Sequence, residues 1–165
     1  MKPVVARVGR PNGGKSTLFN RLVGDRISIV ENVPGVTRDR VYADCEWCGH
    51  AFTLIDTGGL ELKSDDEMWT HIREQVDIAV GVADAIIYVV DGRTGLTLDD
   101  EAITAYLRRA KVPVILAVNK IDNNEQDAVY AFCSLGFGEP YGVSAAQGKG
   151  LGELLDAVIA AVPEV

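Results

Sequence analysis

The sequence predicts a single α/β domain of 165 residues, built on a six-stranded, mainly parallel sheet with helices on both faces. Three observations support this fold class. Short apolar runs typical of buried strands alternate with longer segments of helical periodicity. Glycine-rich or polar stretches follow several of these runs, where the ligand-binding loops of an open parallel sheet occur. The chain is 47% hydrophobic and 24% charged, as expected of a globular protein with a full core.

Local signals place the strands and helices in order along the chain. Short apolar runs bounded by turn residues predict the strands, with Gly49 at the turn of a β-hairpin. A capping box at Ser64–Glu67 predicts the start of one helix, and Pro163 predicts the end of the last. The predicted strands are residues 4–8, 40–48, 50–56, 84–91, 112–118 and 140–143, and the predicted helices begin near residues 17, 64, 97 and 151, the middle two ending near 82 and 110.

The segment between the first strand and the first helix has the phosphate-binding pattern Gly-x-x-x-x-Gly-Lys-Ser. Backbone N–H groups of such a loop bind phosphate oxygens, and its glycines permit the close approach. We expect Lys15 to reach the β- and γ-phosphates and the Ser16 hydroxyl to ligate Mg²⁺. The predicted phosphate-binding residues are Gly9, Arg10, Pro11, Asn12, Gly13, Gly14, Lys15, Ser16 and Thr17.

A second polar segment, Asn119–Asp122, follows a predicted buried strand and has the pattern Asn-Lys-x-Asp. The Asp122 carboxylate could accept hydrogen bonds from both N1–H and the 2-amino group of guanine. Adenine lacks this pair of donors, so the pattern disfavours a phosphate-loop kinase that uses ATP. Asn119 would bind N7 or tie neighbouring loops together, and the Lys120 methylenes would lie over the purine face. The alternative is an ordinary polar loop after a strand, and the phosphate-binding pattern upstream makes it the weaker interpretation.

Further residues are expected near the γ-phosphate, the metal ion and the base. Asp56 ends a predicted strand in the pattern Asp-x-x-Gly, so it could hold the Mg²⁺ hydration shell while the Gly59 N–H contacts the γ-phosphate. Thr37, in the polar segment before the hairpin, is the expected second Mg²⁺ ligand. Segments held only by such contacts order with the triphosphate and relax after hydrolysis. The backbone at Ser144 and Ala145 could bind the guanine O6.

The composition argues against several other classes of function. With 16 basic and 24 acidic residues the formal net charge is −8, which is unfavourable for binding nucleic acid. No apolar run approaches the roughly 20 residues of a membrane span. Cys45 and Cys48 with nearby His50 suggest zinc, but there is no second Cys-x-x-Cys pair, and a hairpin is the better interpretation. The absence of a disulfide arrangement predicts a reducing, cytoplasmic environment.

Together these motifs resemble a Ras-like G domain, and their details resemble the first of two G domains in the Der (EngA) family of bacterial ribosome-assembly GTPases. Besides the phosphate loop, the resemblance rests on Pro34–Asp39, Asp56–Leu60 and Leu135–Pro140, of which the last is the most particular to Der; the others are shared with Era and MnmE. It implies a GTP-hydrolysing switch in assembly of the 50S ribosomal subunit. It also implies a second G domain and a KH-like domain in cis, outside these 165 residues. Those regions are expected to make the main contacts with ribosomal RNA.

The resemblance also suggests how hydrolysis is promoted. Leu60 stands where Ras has a glutamine that orients the attacking water. Asn12 resembles a K⁺ ligand of this family and of MnmE, and a cation there could stabilise the charge of the transition state. The resemblance therefore implies slow, Mg²⁺-dependent and K⁺-stimulated hydrolysis, in which Lys15, Thr37, Gly59 and Asn12 act at the transferring phosphate.

Two residues depart from the family pattern. Gly13 replaces a small apolar residue, which costs roughly 0.5–1 kcal/mol in ordering the loop. Arg7 lies in a predicted buried strand, so its guanidinium has to reach solvent or a carboxylate. Gly13 and Leu60 leave open an alternative function: a guanine-nucleotide-binding module with negligible turnover that docks a partner through its conformation.

Overall fold

In a computed structural model, one seven-stranded sheet organises the chain. The structure describes residues 3–9, 27–28, 41–47, 49–56, 76–77, 79, 81–92, 98–108, 111–121, 129–138, 140–144 and 149–162. The strands are β1 (Val4–Gly9), β2 (Ile27–Ser28), β3 (Val41–Trp47), β4 (His50–Asp56), β5 (Ala85–Asp91), β6 (Val114–Asn119) and β7 (Tyr141–Gly142). The helices are α1 (Leu98–Leu107) and α2 (Leu151–Ala161), with a 3₁₀ helix at Ala131–Leu135 between β6 and β7. Residues 76–77, 79, 81–82 and 129–130 are also helical.

The sheet has the order β2-β3-β4-β1-β5-β6-β7, and all its neighbours from β4 to β7 pair in parallel. Only β3 runs against its neighbours, so the predicted α/β class and mainly parallel sheet are confirmed. The seventh strand is β2, which extends the six predicted strands at the edge beside β3. Its two residues are too few to show an alternating pattern in the sequence.

Helix α1 ends earlier, and strand β6 begins later, than the sequence pattern indicates. The helix was expected to reach about residue 110, but it ends at Leu107, and residues 111–112 form a bend. Proline disfavours helical geometry in the residue before it, so Val112 must leave the helix ahead of Pro113. Strand β6 then begins at Val114 rather than at 112, because Pro113 has no N–H to donate to a sheet.

The core has two halves, one on each face of the sheet. Every residue of β5 is buried. Its Ala85, Ile87 and Val89 join Leu154, Leu155 and Val158 of α2 on one face. Its intervening residues join Ile103 and Leu107 of α1 and Phe132 on the other face. This alternation follows the two-residue period of a strand, and it confirms helices on both faces.

The hairpin predicted between residues 40 and 56 is also confirmed. Strands β3 and β4 pair antiparallel through seven residues, ending at Trp47 opposite His50. The Trp47 indole Nε1 donates a hydrogen bond to Asp156 Oδ1 at 2.7 Å, which ties the hairpin tip to α2. Cys45 points into the core beside Phe52. Among the described residues, which include Cys45 and His50 but not Cys48, no group of three His, Cys, Asp or Glu is placed to hold a metal ion.

Two further expectations can be compared with the structure. Arg7 lies in β1, next to Asp56 of β4 and Ile87 of β5 in the backbone register, and it is 0% exposed. Its guanidinium therefore does not reach solvent, which was one of the two expected outcomes. None of the described helices is long and apolar enough to cross a membrane.

Candidate functional site

The predicted site residues that the structure describes lie at the carboxyl ends of the parallel strands or directly after them. Parallel strands place their carboxyl ends together, and β1, β4, β5 and β6 end at Gly9, Asp56, Asp91 and Asn119. Strand β1 lies between β4 and β5. Gly9 therefore lies in the middle of this row of strand ends, with the Asp56 backbone on one side and the ends of β5 and β6 on the other.

Other predicted site residues lie outside the described part of the chain. They are Arg10, Pro11, Asn12, Gly13, Gly14, Lys15, Ser16 and Thr17 of the phosphate loop, together with Thr37, Gly59, Asp122 and Ala145. Of the Mg²⁺ ligands named above, only Asp56 is described, and only through its backbone. Their roles stay predictions.

The end of β6 is bound closely to the end of β5. Asn119 is buried, and its backbone oxygen accepts a hydrogen bond from the Gly92 N–H at 2.8 Å. A Cβ atom at Gly92 would lie 2.6 Å from Ile121 Cδ1 and 2.9 Å from the Asn119 oxygen. Only glycine allows the chain leaving β5 to pass so close to the residues that follow β6.

Lys120 combines an unusual backbone conformation with an ion pair. Its φ of 67° places it in the left-handed region, where a residue with a side chain carries a cost of about 1–2 kcal/mol. Its Nζ donates to Asp91 Oδ2 at 2.9 Å. Asp91 is 7% exposed and stands directly opposite Asn119 in the β5–β6 register. The Lys120 side chain therefore crosses from β6 to the end of β5.

The segment after β7 lies beside the segment that follows β6. Together with the end of β5 these segments form what we call the corner of the site. The Val143 N–H donates to the Val118 oxygen at 2.8 Å, and its own oxygen accepts from the Ile121 N–H at 3.0 Å. Ser144 is fully buried and exchanges two backbone hydrogen bonds with Lys149, each 3.0 Å long. The structure thus brings Ser144, predicted at the guanine O6, beside Asn119–Ile121, the described part of the Asn-Lys-x-Asp pattern.

This arrangement places polar residues on two neighbouring segments, at the end of β6 and after β7. The buried Asn119 and Ser144 stand on neighbouring segments, and Lys120 extends its side chain over the end of β5. Because residues 119–121 are bonded on both sides, to Gly92 and to Val143, their positions are set before any ligand arrives. A few polar groups held in place in this way are typical of ligand-binding sites.

Sequence reasoning missed Asp91. It was expected only as the last residue of a buried strand, although the rule that selected Asp56 and Asn119, a polar residue at the carboxyl end of a parallel strand, applies to it equally. The additional information is the strand order, which makes β5 the neighbour of β6 and brings Asp91 to Lys120.

The segment Leu135–Pro140, which carried part of the resemblance, lies beside α1. Arg108 Nη2 at the end of α1 donates to the Leu135 oxygen at 2.7 Å. The Phe137 ring meets the Tyr88 ring edge to face, with centroids 6.1 Å apart. These contacts fix the chain between the 3₁₀ helix and β7, so the segment supports the fold on the α1 face of the sheet.

Comparison with known proteins gives a consistent result. The profile of a family described as "50S ribosome-binding GTPase" matches residues 4–120. GTPase Der of Geobacillus kaustophilus is 58% identical over 163 residues, which is 98% of this chain and 37% of that protein. The chain thus spans little more than a third of the length of the relatives it matches.

Solved structures of Era share the fold. An Era variant from Aquifex aeolicus bound to GDP and AlF4⁻ is 28% identical, with a TM-score of 0.78 over 100% of this chain and 58% of that one. Era in complex with MgGDPNP and part of 16S ribosomal RNA is also 28% identical, with a TM-score of 0.76 over 100% of this chain and 59% of that one.

Proposed function

Because this chain belongs to the family of 50S ribosome-binding GTPases, we propose that it is the GTP-binding and GTP-hydrolysing switch domain of a Der-type protein. The observation that carries the proposal is the preformed corner at the sheet edge. There Asn119 and Lys120 are bonded to Gly92 and Asp91 at the end of β5, and Ile121 is bonded to Val143 after β7. Strand β5 lies between these residues and β1, which leads into the phosphate loop.

In this proposal the base binds at the corner formed by β6 and β7. Asp122 accepts from N1–H and the 2-amino group of guanine, and Asn119 binds N7 or orders the neighbouring loops. The Lys120 methylenes cover one face of the purine. Of the two residues expected at O6, Ala145 supplies the backbone N–H, because the Ser144 N–H already donates to the Lys149 oxygen. Strong preference for guanine follows, because adenine would leave buried hydrogen-bonding groups unmatched.

The phosphates bind along the loop that follows β1. Backbone N–H groups between Gly9 and Gly14 surround the phosphate oxygens, and Lys15 neutralises charge on the β- and γ-phosphates. Asp56 stands at the end of the neighbouring strand β4, so it fits the place expected for a group near the metal.

When bound, Mg²⁺ and K⁺ supply positive charge for the transferring phosphoryl group. Ser16, Thr37 and Asp56 would hold Mg²⁺, and Asn12 would hold K⁺. The Gly59 N–H orders its segment against the γ-phosphate, and Leu60 does not orient the attacking water. We therefore expect slow turnover without a partner, near the roughly 10⁻⁴–10⁻² s⁻¹ of unassisted GTPases.

The biological role that we propose is assembly of the 50S subunit. The match covers 37% of the length of the Der relative. The rest of a Der-type protein is therefore long enough to hold a second G domain and a KH-like domain in cis. The charge of −8 favours a division of labour in which those regions make the main ribosomal RNA contacts and this domain acts as the switch, in the cytoplasm.

The test is calorimetric binding of GDP and GTP with Mg²⁺, in KCl and again in NaCl, followed by single-turnover hydrolysis. Micromolar or tighter binding, with GTP favoured and hydrolysed faster in KCl, would support the proposal. Equal rates in KCl and NaCl would contradict the role of Asn12. Tight binding with no hydrolysis would favour the alternative, a module that docks a partner through its nucleotide-dependent conformation.

Base recognition has its own test. Asp122→Asn should shift preference from guanine to xanthine nucleotides, because an amide can donate to the xanthine 2-carbonyl. Binding of GDP, xanthosine diphosphate and ADP is measured for wild type and variant. Unchanged preference for GDP in the variant would exclude Asp122 from base recognition, and ADP binding equal to that of GDP in the wild type would contradict the guanine site.

A further inference from the structure

We propose that Asp91 is a positioning residue for the nucleotide: it fixes the Lys120 side chain over the sheet edge, where that side chain covers the base. The inference rests on the proposed function, since it concerns the same site. Asp91 belongs to none of the sequence motifs that indicate nucleotide binding, and its role emerges from the strand order and from one ion pair.

The geometry gives Asp91 a rigid place from which to act. It is the last residue of β5, a strand that is buried throughout and paired on both sides, to β1 and to β6. Its carboxylate accepts from Lys120 Nζ at 2.9 Å. Neighbouring strands lie about 4.8 Å apart, so the Lys120 stem must extend across one strand spacing to make this contact.

The Lys120 backbone is restrained as well. The Asn119 oxygen accepts from Gly92, the Ile121 N–H donates to Val143, and Lys120 itself holds a left-handed φ of 67°. With the backbone fixed on both sides, the remaining freedom is in the side-chain torsions. The ion pair removes it by holding the far end of the side chain, so the methylenes lie in one place before the nucleotide binds.

The ion pair is better placed for this role than for stabilising the fold. The Lys120 side chain is 32% exposed and that of Asp91 9%. Because water screens the Lys120 end, the pair contributes less to folding than a fully buried pair would. Removing the Asp91 charge should therefore change nucleotide affinity more than thermal stability, and it should affect GDP and GTP alike, because both carry the same base.

The experiment compares Asp91→Asn with a matched control, Asp84→Asn. Asp84 directly precedes β5, at the amino ends of the strands and so away from the site. Its Oδ2 accepts a hydrogen bond from the Val4 N–H at 2.8 Å. The control thus makes the same chemical change in a hydrogen-bonded aspartate far from the site. Binding of GDP and GTP is measured by calorimetry with Mg²⁺, hydrolysis by KM and kcat, and folding by circular dichroism.

We expect Asp91→Asn to raise both dissociation constants and KM about tenfold, the scale of losing one charged hydrogen bond, with kcat within about twofold. The GDP-to-GTP affinity ratio should stay constant. Asp84→Asn should bind both nucleotides as the wild type does. Asp91→Glu, which keeps the charge, should recover part of the affinity, and this rescue is not expected if the aspartate only stabilises the fold.

A double-mutant cycle with Lys120→Met tests whether Asp91 acts through Lys120. The double variant should bind GDP no more weakly than Lys120→Met alone. Additive losses, or wild-type affinity in Asp91→Asn, would overturn the inference and leave the proposed function intact. Failure of the folded wild type to bind any guanine nucleotide would overturn both.

Discussion

Replacing Gly92 by alanine should both destabilise the protein and weaken nucleotide binding. The added Cβ would lie 2.6 Å from Ile121 Cδ1, 2.9 Å from the Asn119 oxygen and 3.0 Å from Val118 Cγ1. Ordinary carbon contacts are about 3.5–4.0 Å, so roughly 1 Å of separation has to be gained. The Ile121 methyl can turn away, but the Asn119 carbonyl cannot, because the Gly92 N–H holds it at 2.8 Å.

The expected cost follows from this overlap. Overpacking of a well-packed region costs typically 1–3 kcal/mol. In a domain of this size each kcal/mol lowers the midpoint of thermal unfolding by about 2–4 °C, so Gly92→Ala should lose about 2–12 °C. Because the displaced atoms belong to Asn119 and Ile121, GDP affinity should fall as well.

The assay is thermal unfolding followed by circular dichroism, without nucleotide and with saturating GDP. Gly81→Ala is the matched control, because the residue is helical and, outside its own helix backbone and chain neighbours, no heavy atom of the described residues lies within 4 Å of a Cβ at Gly81. Alanine is favoured over glycine in helices by up to about 1 kcal/mol, so the control should unfold at the same or a higher temperature. Equal midpoints for the two variants would refute the close approach at Gly92.

Two further predictions concern the α2 face of the sheet. Leu154→Ala should lower the free energy of unfolding, measured in urea, by about 2–5 kcal/mol, because Leu154 is fully buried between α2 and the sheet. The control is Glu153→Ala at the neighbouring exposed position, and similar losses in both variants would contradict this packing. Trp47→Phe should cost about 0.5–1.5 kcal/mol through loss of the hydrogen bond to Asp156, and if Asp156→Ala destabilises the wild type and Trp47→Phe equally, the bond has no energetic role.

The sequence predicted the parts of this fold that depend on local pattern. Strand β5 was expected at residues 84–91 and runs from Ala85 to Asp91. The difference is Asp84, whose side chain accepts from the Val4 N–H ahead of the strand. The hairpin was foreseen because Gly49 separates two predicted strands, and helices on both faces because strands and helices alternate along the chain.

Features that depend on distant contacts could not be predicted in the same way. The 3₁₀ helix at Ala131–Leu135 and strand β2 are too short to show a period. The Lys120–Asp91 pair joins residues 29 positions apart, and it requires knowledge that β5 and β6 are neighbours. Asn119 and Ser144 could be selected from the sequence by residue type, and the structure adds the backbone hydrogen bonds that place them.

The shape of the sheet also bears on aggregation. Its most apolar strand, β5, has the sequence Ala-Ile-Ile-Tyr-Val-Val-Asp, a seven-residue segment without proline or glycine of the kind that stacks into amyloid when exposed. In the folded chain β1 and β6 cover both of its hydrogen-bonding edges. The outermost strands, β2 and β7, have two residues each. Among the described residues the apolar segment is therefore not at an edge of the sheet, and it stays in the interior for as long as the domain remains folded.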